Sequence, residues 1–208
     1  MSGWLLYGVG FLAQLLFSAR LLVQWIASER AKRVLSPVIF WQLSMLASFL
    51  LCLYGWLRND FAIIVGQLVS YYIYIWNLQA KGVWRKLVPA LQVIFLFMPA
   101  AAVLWGLVNW RETVPHLFIQ EHIPLWLIAF GTLGQFTFTL RFVYQWWYSH
   151  RLGESVLPLN FWIISLCGSA MIIAYALIRR DPVLILGQST GVLVYARNIY
   201  LSLRGAAR

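Results

Sequence analysis

The chain has 208 residues, of which 62% are hydrophobic and only 11% carry a charged side chain, and its formal net charge is +10. That much apolar surface exceeds what one soluble core of this size can bury, which excludes an ordinary water-soluble enzyme and makes the bilayer the expected solvent. The positive charge is then expected to lie beside anionic lipid headgroups. We expect no nucleic-acid partner, because no stripe of basic and aromatic residues lies outside the apolar segments.

Apolar stretches follow one another along the chain, and each has about the 17 to 25 residues needed to cross the hydrocarbon. They cover residues 4–26, 38–57, 61–79, 87–109, 124–147, 159–178 and 182–201. We expect them to be helices, because a segment surrounded by lipid must satisfy its own backbone hydrogen bonds. The first is expected to remain in the mature protein, since it has neither the basic n-region nor the small-residue cleavage site of a signal peptide.

Basic residues flank the predicted spans unevenly, and this imbalance predicts the orientation of the chain. The richer side holds Arg30, Lys32, Arg33, Lys81, Arg85, Lys86, Arg151, Arg204 and Arg208. The poorer side holds Arg58, Arg111, Arg179 and Arg180. The richer side is expected to be cytoplasmic, which places the amino terminus outside and the carboxyl terminus in the cytoplasm.

The chain also contains an internal repeat, in which residues 10–77 align without a gap on residues 131–198. Polar and aromatic residues, glycine and proline keep their identity, although apolar residues dominate the surrounding sequence. The conserved residues of the first copy include Arg20, Gln24, Trp25, Ser28, Pro37, Phe40, Trp41, Ser44, Ser48, Tyr54, Arg58, Asp60, Gly66, Gln67, Tyr74 and Asn77. The pattern predicts a three-helix repeat in residues 1–80, a linker with a fourth transmembrane helix in 81–123, and a second three-helix repeat in 124–208.

The repeated string R-x3-Q-W-x2-S, P-x2-F-W-x2-S-x3-S, Y-x5-D-x5-G-Q-x6-Y-x2-N resembles the lipid A biosynthesis N-terminal domain family, here in two copies. The layout of parallel repeats, three helices, one helix and three helices, resembles the SWEET and PQ-loop transporter superfamily. The Pro-Gln pair of PQ-loop proteins is absent, because Pro37 precedes Val38 and Pro158 precedes Leu159. Its gating role is therefore not carried over to this chain.

This resemblance implies an all-α integral membrane fold with seven transmembrane helices, a multi-pass location in the bacterial inner membrane, and a role in envelope glycolipid or polyprenyl-phosphate sugar pathways. The family takes its name from its occurrence in some lipid-A-disaccharide synthases, but the glycosyltransferase part of those enzymes has no counterpart here. We therefore expect no enzyme activity, no cofactor and no metal site.

Arg20 and Arg141 lie inside predicted spans, where an arginine costs at least about 2.5 kcal/mol and usually faces protein, water or a bound partner. A guanidinium stays charged and binds phosphate through two parallel hydrogen bonds. We predict a phosphate site at these two arginines, with Gln24 and Gln145 one helical turn away, and with Arg197 added in the second copy only. The alternative is that the arginines snorkel to the headgroups or tie helices together.

The third span of each copy carries amide and phenol groups along one side, which predicts a polar face toward the bundle interior or a cavity. These groups belong to Gln67, Tyr74, Asn77, Gln188, Tyr195 and Asn198. They are predicted to bind a sugar headgroup, and SWEET proteins place asparagines at similar positions, whereas the alternative is hydrogen bonding between helices. Trp25 and Trp146 are expected at interface depth, either as an aromatic belt or as a stacking surface for a sugar ring.

Asp60 and Asp181 mark the outer end of each copy, two residues after Arg58 and Arg179. We predict that they form an outer gate. Helix capping and ion pairing are the expected roles of these carboxylates, and a proton relay is the alternative.

Together these features predict an inner-membrane transporter or flippase of a phosphate-linked glycolipid, such as a polyprenyl-phosphate sugar used in lipid A or envelope glycan modification. The arginines would hold the phosphate, the amides would select the sugar, and rocking of the two halves would move the headgroup. One alternative is a SWEET-like transporter of a small sugar, which predicts that both arginines tolerate glutamine. Another is a non-catalytic membrane partner of a lipid-modifying glycosyltransferase. The chain is expected to be a monomer or a homo-oligomer in the membrane lipid.

Overall fold

A computed structural model of the chain describes residues 3–57, 61–109, 124–180 and 182–206, and these residues form seven α-helices and one short 3-10 helix. The α-helices are α1 (Gly3–Ala31), α2 (Val38–Leu57), α3 (Phe61–Ala80), α4 (Pro89–Val108), α5 (Leu125–Leu152), α6 (Leu159–Arg179) and α7 (Pro182–Ala206). The 3-10 helix Trp84–Lys86 lies between α3 and α4. The prediction of an all-α fold is confirmed.

Three of the described helices are long and apolar enough to cross a membrane. The qualifying segments are Gly8–Ala31, Pro89–Val108 and Leu159–Arg179. Large apolar side chains lie on the surface, including Phe11 at 68% exposure and Leu193 at 70%, whereas the polar Gln24 and Asn198 are fully buried. Lipid surroundings favour this distribution, because polar groups gain by pairing with one another away from hydrocarbon. Crossing by all seven helices stays a prediction.

Helices begin after proline and end at glycine in the left-handed backbone conformation at several places in the chain. Pro37 and Pro158 immediately precede α2 and α6, at the same position in the two copies of the repeat. Gly153 ends α5 with a φ of 71°, and Gly82 follows α3 with a φ of 69°. A residue with a Cβ atom is strained at these backbone angles, whereas glycine adopts them at little cost. Glycine is therefore favoured at these two positions after a helix.

The described residues form two compact units. The first combines the described part of residues 1–20 with that of residues 38–121. The second combines residues 21–37 with the described part of residues 122–208. Helix α1 therefore contributes to both units and changes from one to the other between Arg20 and Leu21. The domain boundaries predicted from the repeat, 1–80, 81–123 and 124–208, stay a prediction.

Two glycines allow close helix approach at equivalent places in the repeat. A Cβ atom added to Gly10 on α1 would lie 3.0 Å from Cε2 of Tyr54 on α2. A Cβ atom added to Gly131 on α5 would lie 2.7 Å from Cδ2 of Tyr175 on α6. In both units the absence of a side chain lets the tyrosine ring pack against the neighbouring backbone.

Candidate functional site

Arg20 on α1 meets side chains from α2 and α3 inside the first unit. Its Nη1 donates hydrogen bonds to Oγ of Ser44 at 2.9 Å and to the phenol oxygen of Tyr74 at 3.1 Å. Its guanidinium carbon lies 4.6 Å from the ring centroid of Phe17 and 5.4 Å from that of Phe40. The side chain is only 6% exposed, so the positive charge lies within the helix bundle of its unit.

Arg141 on α5 has the equivalent setting in the second unit. Its Nη1 donates to the phenol oxygen of Tyr195 on α7 at 3.1 Å. The guanidinium carbon lies 3.4 Å from the ring centroid of Phe138, 4.6 Å from that of Phe142 and 5.7 Å from that of Phe161. Arg141 is 3% exposed. The structure therefore brings the predicted arginine and the predicted tyrosine together in both units.

The aromatic rings around these arginines suit a cation, because the face of an aromatic ring carries partial negative charge and attracts a guanidinium more strongly where water is excluded. The hydroxyl of Ser44 accepts from Arg20 and donates to the carbonyl oxygen of Phe40 at 2.6 Å, which fixes its orientation. A guanidinium beside hydroxyl groups presents the donors that a phosphate group accepts.

Gln24 holds the loop that follows α1. Its Nε2 donates to Oγ of Ser28 at 2.9 Å and to the carbonyl oxygen of Leu35 at 3.3 Å. The backbone N–H of Leu35 donates to the same Ser28 hydroxyl at 3.0 Å. Gln24 and Ser28 thus satisfy both backbone groups of a residue that lies outside any helix, which keeps the short connection to α2 in place.

Gln145 and Ser149 repeat this clasp after α5. The amide of Gln145 donates to Oγ of Ser149 at 2.9 Å and to the carbonyl oxygen of Val156 at 2.9 Å. The N–H of Val156 donates to Ser149 at 3.1 Å. The repeated spacing of glutamine and serine therefore has a local structural function in both copies.

Asn198 on α7 joins the clasp of Gln24. The Nε2 of Gln24 donates to Oδ1 of Asn198 at 2.9 Å, and Nδ2 of Asn198 donates back to Oε1 of Gln24 at 3.1 Å. Nδ2 of Asn198 also donates to the carbonyl oxygen of Val194 at 2.9 Å, and Asn77 makes the equivalent bond to the carbonyl oxygen of Ile73 at 2.8 Å. These buried amides therefore already hold hydrogen bonds within the protein.

Two further glutamines connect neighbouring helices. Ser48 on α2 donates to Oε1 of Gln67 on α3 at 3.0 Å, and Ser169 on α6 donates to Oε1 of Gln188 on α7 at 2.9 Å. Gln67 and Gln188 are half-buried, so part of each residue stays exposed.

The two tryptophans of the motif have different neighbours. Trp25 is half-buried, and its Nε1 donates to Oε1 of Glu29 at 3.2 Å. Trp146 is exposed and stacks on His150, with ring centroids 5.6 Å apart. Glu29 also forms an ion pair with Arg197 on α7. The predicted gate residues Asp60 and Asp181 lie outside the described residues.

Sequence reasoning missed several of these partners. Ser44 was noted only as a residue that the repeat conserves, and Phe17 was not singled out although the repeat conserves it as Phe138. Glu29 has no acidic equivalent in the second copy, where His150 stands, so the repeat contained no signal for it. Glu29 is nevertheless the only carboxylate in the sequence of α1, and that isolation was the available clue.

The model of the lipid A biosynthesis N-terminal domain matches residues 9–79 and again residues 130–200. The chain belongs to this family. The predicted membership and the tandem arrangement are confirmed. Both arginine clusters and both clasps lie within the matched segments, whereas α4 lies outside them. No solved structure matches the chain.

Relatives of the chain include lipid-A-disaccharide synthases of Chlamydia. The enzyme of Chlamydia pneumoniae is 31% identical over 95% of the chain and 33% of its own length. That of Chlamydia caviae is 30% identical over 93% of the chain and 32% of its own length. That of Chlamydia trachomatis serovar D is 26% identical over 98% of the chain and 35% of its own length. The chain thus spans about a third of the length of these relatives.

Proposed function

We propose that this member of the lipid A biosynthesis N-terminal domain family is an inner-membrane transporter or flippase of a phosphate-linked glycolipid, such as a polyprenyl-phosphate sugar. The observation that carries the proposal is the repeated cluster in which a buried arginine contacts a tyrosine hydroxyl and aromatic rings, at Arg20 and Tyr74 and again at Arg141 and Tyr195. The family name and the apolar helices support a membrane protein linked to lipid A synthesis.

In the proposed mechanism, the phosphate group takes over a hydrogen bond that the guanidinium otherwise makes to a phenol. The phosphate carries a charge opposite to that of the guanidinium and can accept two parallel hydrogen bonds from it, which the neutral phenol cannot, so the exchange favours the phosphate. Release of Tyr74 would loosen the link between α1 and α3, and release of Tyr195 would loosen the link between α5 and α7. Binding would therefore change the packing of helices within each unit.

The sugar part of the headgroup is proposed to contact the groups that remain accessible. Half-buried Gln67 and Gln188 offer amide donors, and the rings of Trp25 and Trp146 offer stacking surfaces. Asn77 and Asn198 would have to exchange a bond within the protein for a bond to the sugar. We also propose that the helices are arranged as two parallel repeats of three helices joined by one linking helix, with the amino terminus outside.

The test is headgroup movement in proteoliposomes that contain a fluorescent polyprenyl-phosphate sugar. Wild type is compared with the double variant Arg20→Gln and Arg141→Gln, and with a control that removes the same charge from the exposed Arg151 and Arg204. We expect saturable movement in wild type and in the control, and loss of movement in the variant of the buried arginines. Equal movement in all three proteins would reject the phosphate sites, and movement of a free sugar alone would favour the small-solute alternative.

A second candidate is a non-catalytic membrane partner of a lipid-modifying glycosyltransferase. It is favoured by the relatives, which are named lipid-A-disaccharide synthases. The chain matches about a third of their length. Affinity purification of the chain from cross-linked bacterial membranes tests this candidate. Recovery of a glycosyltransferase in stoichiometric amount, with no headgroup movement by the chain alone, would favour it over the flippase.

A further inference from the structure

A carboxylate on α1 is held by three N–H donors in the second unit. The Nε of Arg197 contacts Oε1 of Glu29, and Nη2 of Arg197 donates to Oε2 at 2.9 Å. The indole Nε1 of Trp25 donates to Oε1 at 3.2 Å. The ring centroid of Tyr200 lies 5.1 Å from the guanidinium carbon of Arg197. We call Arg197, Trp25 and Tyr200 the anion cradle.

The cradle has the geometry with which proteins bind oxyanions. Two parallel N–H groups of a guanidinium match two oxygens of a carboxylate, and they match two oxygens of a phosphate equally well. The ring of Tyr200 lies beside the guanidinium and attracts its positive charge. A phosphate monoester would satisfy the same donors and would bring more negative charge than Glu29.

The cradle is also accessible. The side chain of Arg197 is 39% exposed and that of Glu29 is 28% exposed. Water and salt reach an ion pair at this exposure and screen its charges, so an anion in solution can compete with Glu29 for the same N–H donors. Arg30 in the last turn of α1, and Lys32 and Arg33 just after it, are exposed and raise the local concentration of anions.

The ion pair between Glu29 and Arg197 is not repeated in the other copy, because the repeat preserves neither residue. At the equivalent positions of the alignment, His150 stands where Glu29 does, and Trp76 stands where Arg197 does. Arg20 and Arg141, in contrast, are preserved in both copies. The ion pair therefore does not follow from the duplicated scaffold and calls for a separate explanation.

We infer that the anion cradle is a binding site for a phosphate monoester and that Glu29 is its built-in, displaceable occupant. Entry of the phosphate replaces the Glu29 carboxylate on Arg197 and Trp25, and thereby opens the link between the end of α1 and α7. The inference goes beyond the proposed function and does not require the buried arginines to bind phosphate.

The experiment measures equilibrium binding to the full chain in nanodiscs of zwitterionic phosphatidylcholine. One arm uses inorganic phosphate, and the other uses discs that contain short-chain phosphatidic acid, which separates a free anion from a lipid headgroup. The variants are Glu29→Gln, Arg197→Gln and their combination. Glu154→Gln, which changes an exposed carboxylate in the loop after α5, is the matched control.

We expect Glu29→Gln to tighten binding by up to about fivefold in at least one arm, because the carboxylate that competes with the anion for Arg197 is then absent. The expected change is small because an exposed ion pair contributes little free energy. These comparisons are made in the Arg20→Gln and Arg141→Gln background, which removes the phosphate sites proposed above. There Arg197→Gln should abolish binding, the combined variant should behave like Arg197→Gln, and Glu154→Gln should behave like the background protein. Equal or weaker binding by Glu29→Gln in both arms would overturn the inference, as would full binding by Arg197→Gln.

Two additional variants keep the result interpretable. Trp25→Phe removes one donor and leaves the ion pair, so it should weaken binding without abolishing it. The difference in binding between Glu29→Gln and Arg197→Gln should be the same with Arg20 and Arg141 present as with both replaced by glutamine. Headgroup movement tests the proposed function, and binding at the cradle tests this inference. A double variant that loses headgroup movement but still binds phosphate at the cradle would show that the two depend on different residues.

Discussion

Gln24 and Asn198, which lie near opposite ends of the chain, exchange two hydrogen bonds between their side-chain amides at 2.9 and 3.1 Å. Both side chains are fully buried. Each amide also bonds locally, Gln24 to the loop carbonyl of Leu35 and Asn198 to the helix carbonyl of Val194. The pair thus fastens the carboxyl-terminal part of α1 and its following loop to α7 within the second unit.

Replacing Gln24 by leucine should destabilise the protein by about 1 to 3 kcal/mol, because Asn198 and the carbonyl of Leu35 would lose their buried partner. The free energy of unfolding in detergent, measured with denaturant, checks this expectation. The matched control is Gln14→Leu, since Gln14 lies on the same helix but is exposed. A loss of stability as large in Gln14→Leu would show that the amide pair is not the cause.

The neighbouring residues Tyr71 and Tyr72 offer a direct comparison. The hydroxyl of Tyr71 is buried and has no hydrogen-bond partner within the part of the chain that the structure describes, whereas the hydroxyl of Tyr72 donates to the carbonyl oxygen of Leu96 at 3.0 Å. Removing an unsatisfied buried hydroxyl relieves its desolvation cost, so Tyr71→Phe should stabilise the protein by about 1 kcal/mol. Tyr72→Phe should leave stability unchanged or lower it. Thermal unfolding followed by circular dichroism compares the two, and the opposite order would contradict the assignment of these contacts.

Gly131 should not tolerate alanine. A Cβ atom there would lie 2.7 Å from the Tyr175 ring, and forcing extra volume into a packed contact costs about 1 to 3 kcal/mol. Gly8→Ala, at a position with open space around it, is the control and should be neutral or stabilising. Adding Tyr175→Ala to Gly131→Ala should make the glycine substitution nearly harmless, which a double-mutant cycle of unfolding free energies would measure. Additive losses would mean that the two residues do not contact each other.

The arginine clusters can be tested by a change that keeps the charge. Lysine at positions 20 and 141 presents a single ammonium group and cannot make two parallel hydrogen bonds to a phosphate. We expect the double lysine variant to bind a polyprenyl-phosphate sugar about tenfold more weakly than wild type, which corresponds to the loss of one good charge-assisted bond. Titration in nanodiscs checks this. Equal affinity would mean that charge alone matters, and equal affinity of the double glutamine variant would reject the sites.

The repeat allowed much of the site to be predicted from the sequence. It singled out Arg20, Tyr74, Arg141 and Tyr195 as residues preserved between the copies, with the arginines predicted to bind phosphate and the tyrosines to bind a sugar. Each arginine forms a hydrogen bond of 3.1 Å with the tyrosine of its own copy, a contact that was not predicted. This was possible because two copies of one polar pattern in an apolar chain are difficult to explain except by repeated contacts. The partners themselves were less predictable. Gln24 was expected near the ligand of Arg20, whereas its amide contacts Ser28, Leu35 and Asn198.

The sequence by itself determined that the chain is helical, apolar on its surface and duplicated, because composition and the spacing of polar residues depend only on residue order. It also located helix starts such as Val38 and Leu159, which follow prolines. Only the tertiary structure decided that α1 changes unit after Arg20 and that Glu29 meets Arg197. A side chain has the same sequence neighbours whichever helix lies opposite it, so the partner across a helix contact depends on packing and not on spacing.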